Sequence, residues 1–161
     1  FEGIEFPYGK FSEDLFTIYK TILKSRSITY IGFDGYFYYY RDEGSIVVSG
    51  YKKKHLEALD AVDDIEESVK GKGRFDNALS TQYINVIYDI AARNPLLSEF
   101  RNKRIQNNLK AHRMSVLKDS NAPKRLRGFA AISLLGNRIV LKVVVARNRR
   151  WKVQRRETKK R

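Results

Sequence analysis

The last 61 residues of this 161-residue chain hold 20 Lys and Arg against two acids, Asp119 and Glu157, a net +18. Residues 1–100 hold 12 basic and 16 acidic side chains, a net −4. Any fold of the second half has to gather its apolar residues beneath a surface of like charge, and such a surface repels itself until counter-charge arrives. Nucleic acid, with dense phosphates and releasable counterions, is the polyanion suited to that role.

The length allows one ordinary domain, or two small ones, with a real hydrophobic core. There is no Cys, which excludes a disulfide framework and any thiolate metal site, a zinc finger included. No uninterrupted apolar run approaches the ~20 residues of a membrane span. The opening FEGIEFPYGK lacks the basic region and apolar stretch of a signal peptide. A soluble or at most peripheral protein, with no membrane partner, is expected.

Ser12 is placed to cap a helix in which Leu15, Phe16, Tyr19, Ile22 and Leu23 recur at helical spacing. Residues 27–40, SITYIGFDGYFYYY, are aromatic and β-branched; with a turn at Asp42 and Gly44 and the following SIVVSGY they read as a β-hairpin. Leu56, Leu59, Val62, Ile65 and Val69 define one buried stripe of a second helix that ends at Gly71 and Gly73. Ser80 or Thr81 caps a third, stopped at Asn94-Pro95. Ser98 opens a basic fourth helix reaching about Leu117, followed by a turn-rich connector over residues 119–127. FAAISLL, a Gly136-Asn137 turn, RIVLKVVVA, a turn at Asn148-Arg149 and RWKVQRR read as strands. The expected fold class is therefore α+β, helices packed on antiparallel hairpins. Its expected divisions are a mixed core over 1–117, a basic β-hairpin region over 118–156 and a flexible basic tail over 157–161.

Candidate nucleic-acid-binding residues follow from the cations of the second half. They are Arg101, Lys103, Arg104, Lys110 and Arg113 on the basic helix, then Lys124, Arg125, Arg127, Arg138, Lys142, Arg147, Arg149, Arg150, Lys152, Arg155 and Arg156. Trp151 lies among the last of these, and a basic sheet with an interleaved aromatic can contact phosphates and stack a base. The aromatic run Tyr36 to Tyr40 reads first as sheet core with a tyrosine rim, and second as a stacking platform. The two histidines, His55 and His112, have no second metal ligand at a suitable spacing and read as solvated helix positions. Asp60, Asp63, Asp64, Glu66 and Glu67 read as a solvated face rather than a Mg²⁺ site. No phosphate loop, dinucleotide motif or nucleophile elbow occurs, so no cofactor and no metal are expected.

In chain order, GFDGYF at 32–37, SIVVSGY, HLEALDAVDDI, GKGRF and INVIYDIAARNPLLSEFRNKRI at 84–105 together resemble a LAGLIDADG homing-endonuclease unit. FAAISLLGNRIVLKV at 129–143 resembles the start of a truncated second unit. The resemblance implies a LAGLIDADG-like α+β scaffold with Asp34 at the first metal-binding position. The second position falls at Leu134 or Leu135, which cannot bind the metal such nucleases use. It therefore implies a scaffold that kept its nucleic-acid surface and lost cleavage, of the kind expected in organellar, chiefly mitochondrial, RNA processing or ribosomes.

The expected function is non-catalytic binding of structured RNA as a subunit of a ribosome or related ribonucleoprotein, beside neighbouring protein subunits. The rival readings are a homodimeric homing endonuclease or intron maturase using Asp34, and a viral protein that packs nucleic acid.

Overall fold

The computed structural model describes residues 3–33, 35–36 and 50–158, with side chains through residue 148. It contains α1 (Glu13–Lys24), α2 (Glu57–Val69), α3 (Asp76–Ala92), α4 (Leu97–Phe100), α5 (Lys103–Lys118), α6 (Lys124–Ile132) and α7 (Asn137–Thr158). Three 3-10 turns, Lys53–Leu56, Gly73–Phe75 and Ser133–Leu135, lead into or out of these helices. Helix α3 is central and touches α2, α5, α6 and α7. Its Tyr83, Ile84, Ile87 and Ile90 meet Leu59 and Val62 of α2, Ile105, Leu109 and Val116 of α5, Phe129 of α6 and Val140 and Val144 of α7 in one buried cluster. Helix α1 attaches to the side of α2: Tyr19 Oη donates to Asp64 at 2.7 Å, and the Phe11 N–H donates to Glu57 Oε2 at 2.8 Å.

The α+β expectation is wrong, because no strand occurs among the described residues. The segments read as C-terminal hairpins are α6, a 3-10 turn and α7, which also removes the sheet that was to carry Trp151 and its neighbouring cations. The strand that the LAGLIDADG resemblance implies after Gly136-Asn137 is absent as well, because residues 138–143 lie in α7. Of the first hairpin, residues 26–33 have no regular structure, and Asp34 and residues 37–49 lie outside the described residues.

The physical reason lies in which residues are buried. Leu126, Phe129, Ala130 and Ser133 are buried at spacings of three, one and three, a helical and not an alternating pattern. Val140 and Val144 are buried four apart, with Leu141 packed against the same core. Ile139, Val140, Val143, Val144 and Val145 are β-branched, and each costs about 0.5 kcal/mol in a helix relative to Ala, ~2–3 kcal/mol together. Burying Val140 and Val144 contributes about 1.5 kcal/mol or more apiece. Packing therefore offsets the strand propensity of the run.

Helix boundaries also shift. Ser12 precedes α1 but sits in the left-handed region (φ 62°, ψ 46°) and makes no side-chain cap bond. Helix α3 starts at Asp76, a turn before the expected cap at Ser80 or Thr81, and it ends at Ala92, with Asn94 in the left-handed conformation and Pro95 after it. The single basic helix expected from Ser98 is broken at Arg101-Asn102, where Asn102 Oδ1 accepts from the Arg104 N–H at 2.9 Å and caps α5. Asn148, expected in a turn, is inside α7, and its Nδ2 donates to the Ala92 carbonyl at 2.8 Å. It thereby satisfies an acceptor left open at the end of α3.

Gly136 does make a turn, between two helices rather than two strands. Its φ of 104° and ψ of 160° lie in a region essentially restricted to glycine, and an added Cβ would meet nothing within 4 Å. Gly136→Ala therefore costs backbone strain without a clash. Its expected destabilisation is about 1–3 kcal/mol, read from a urea-denaturation midpoint.

Candidate nucleic-acid interface

The acids of α2 are engaged within the protein. Arg104 bridges α5 to α2 by bonding Asp60 through Nη1 and Asp63 through Nη2. Tyr83 Oη lies 2.7 Å from Asp63 Oδ1 and 2.8 Å from Glu66 Oε2. Lys20 pairs with Asp64 at 3.2 Å, and Lys70 with Glu67 at 3.1 Å. The acidic side of α2 is thus a docking face for α1, α3 and α5, where the sequence pattern suggested only a solvated surface. Among the described residues, no group of three or more His, Asp or Glu side chains is arranged to hold a metal ion. Burial raises the Tyr83 phenol above its usual value, and its bonds to Asp63 and Glu66 raise it further. Burial alone would lower Arg104; the bonds to Asp60 and Asp63 outweigh it and hold the guanidinium above its ordinary value.

The cations proposed from sequence therefore separate by environment. Arg104 belongs to the α2–α5 contact. Arg125 is committed to α3, where Nη2 donates to Asn85 Oδ1 at 2.9 Å and the guanidinium lies 5.5 Å from the Tyr88 ring centre. Arg113 and Arg127 are half-buried, each with its Nε buried. Arg101, Lys103, Lys110, Lys124, Arg138, Lys142 and Arg147 are exposed. The side chains of Arg149, Arg150, Trp151, Lys152, Arg155 and Arg156 lie outside the described set, although their backbone is α7.

Helical register sets some of the cations in two lines, with the exposed Arg101, Lys124 and Arg147 off both. On α5, Lys103, Lys110 and Lys118 are seven and eight residues apart, so at 100° per residue they fall within about 80° of one another. Lys118 was not among the residues singled out from sequence; its two-turn spacing from Lys110 was the available signal. On α7, positions 138, 142, 149, 152 and 156 also fall within about 80°, along a rise of about 27 Å. Asn137 Nδ2 donates to Gln106 Oε1 at 3.1 Å and ties the first turn of α7 to the first turn of α5. Both lines start at that corner, with Lys103 on one and Arg138 on the other. The arrangement can contact a run of phosphates. Comparison of the chain with protein-family models, curated proteins and solved structures finds no match.

Arg104→Gln separates structural cations from surface ones. Its side chain and its two partners are a third to a half exposed, so solvent screening limits the expected loss to about 1 kcal/mol. Thermal denaturation should register that loss.

His55 is buried and His112 half-buried, contrary to the solvated positions expected. His55 is 3 % exposed between the rings of Phe11 and Tyr51, and its Nδ1 accepts from the Lys52 N–H at 2.8 Å. His112 stacks on Tyr83 with ring centres 4.2 Å apart, its Nδ1 3.1 Å from Ser80 Oγ. Burial lowers both imidazoles below their ordinary value; the Lys52 carbonyl, 2.8 Å from His55 Nδ1 and an acceptor for the charged ring, opposes this at His55, and the charges of Glu66 and Asp63 oppose it at His112. The unfolded chain therefore binds more protons in acid than the fold does. This contribution to stability is complete above the unfolded value of about 6.5 and is lost as pH falls from there through the folded values. The denaturation midpoint should decline over that window, and more shallowly in His112→Gln.

Proposed function

We propose that this protein binds structured RNA without catalysing a reaction on it, as a subunit of a ribosome or related ribonucleoprotein. The observation that carries the reading is the alignment of exposed cations on α5 and α7, in a half of net +18 whose two acids cannot balance it. Two helical lines meeting at one corner suit phosphates that run over a folded RNA, because a single groove-reading helix would leave the second line unused. Cations in register fix position on a backbone, whereas base reading needs groups aimed at base edges. Affinity should consequently exceed sequence preference. Sedimentation of a cell extract tests the proposal: the protein should travel with ribonucleoprotein particles, leave them in high salt and be released by ribonuclease. Continued co-sedimentation after complete RNA digestion would place it on a protein surface and contradict the reading.

A further inference from the structure

Helix α7 has a second apolar side that RNA does not explain. Val140 and Val144 face the core, while Ile139 and Val143, each one position earlier, lie about 100° around the helix and are each 42 % exposed. Leu135, just before the helix, is 66 % exposed and stands four residues before Ile139. The line 135, 139, 143 ends at the exposed Arg147, and Arg138 and Lys142 run along its edge. An aliphatic ridge at four-residue spacing is the element that seats in the groove of another helix. Phosphate offers nothing to bury it against, and a second copy would bring a net +18 half against another.

We propose that this side of α7 docks an amphipathic helix of a protein partner, one whose aliphatic ridge is flanked by Asp and Glu. Leu135, Ile139 and Val143 supply the apolar contact, and Arg138, Lys142 and Arg147 meet the flanking carboxylates. Rim charges of this kind guide encounter and register, while the buried apolar ridge supplies the anchor. Arg138 and Lys142 belong to both surfaces, so peptide and RNA compete for them, whereas substitutions on the ridge leave every cation in place and test the apolar contact alone.

The probe is a synthetic helical peptide with Leu at four-residue intervals flanked by Glu, titrated into the full chain and followed by backbone amide shifts. Saturable shifts centred on Leu135, Ile139 and Val143 are expected. Ile139→Gln with Val143→Gln should weaken binding at least tenfold without altering RNA binding, as should replacing the peptide's Glu by Gln. Leu135→Gln, outside the helix, gives a second variant should the pair lower the melting midpoint. Equal binding by wild type and both variants would overturn the proposal. So would shifts on this side produced by phosphatidylserine vesicles and not by the peptide, or self-association that the ridge variants abolish.

Discussion

Replacing Lys103, Lys110, Lys118, Arg138 and Lys142 together by Gln is expected to weaken binding to structured RNA by about 10³-fold near 0.1 M salt. The magnitude follows from counterion release. Each phosphate contact contributes about 0.7–0.9 to the slope of log affinity against log salt, and five contacts set the scale. All five side chains are exposed on helical elements, and Gln is a good helix former, so helicity by circular dichroism should be preserved. Fluorescence anisotropy on a labelled RNA hairpin gives the affinity. A loss of less than tenfold with intact helicity would move the binding surface away from α5 and the first half of α7.

Truncating the core of the basic half should have the largest effect on stability. Phe129 is 2 % exposed on α6, and its ring meets Tyr88 of α3 edge-on with centres 5.5 Å apart. Phe129→Ala is expected to cost about 3–5 kcal/mol, against the roughly 5–15 kcal/mol that separates typical folded and unfolded domains. Urea denaturation measures it. A cost below about 1 kcal/mol, the scale of a surface change, would mean that α6 does not pack on α3 as described.

The legibility of the fold in the sequence varied with the kind of signal. In α1 and α2, apolar residues at three- and four-residue spacings have polar residues between them, and both helices were readable nearly to their ends. The stop of α3 was readable because Asn94 and Pro95 act locally. Residues 139–145 were not readable in the same way. Apolar side chains there occupy both a buried and an exposed side of α7, and a β-branched run broken only by Leu141 and Lys142 looks alike as a two-sided strand. Only the long-range burial of Val140 and Val144 beside α3 decides between them.

The candidate site shows the same division between local and non-local information. Charge is a property of composition, so the basic half was evident, and Lys103, Lys110, Arg138 and Lys142 were already among its candidates. Arg104 looks equivalent to Lys103 in sequence. Its partners Asp60 and Asp63 are 44 and 41 residues away, and no spacing rule connects them. Arg125 is likewise diverted by Asn85, 40 residues away. The line on α7 required knowing that Asn137–Thr158 is one continuous helix, because a hairpin turning at Asn148-Arg149 divides the same positions between two strands.

The salt dependence of the unaltered protein on one structured RNA decides whether these cations meet phosphates. Five contacts predict that log affinity falls against log salt with a slope of about −3.5 to −4.5, steeper if the C-terminal turns of α7 also engage. A slope near zero, or binding undiminished at high salt, would contradict it.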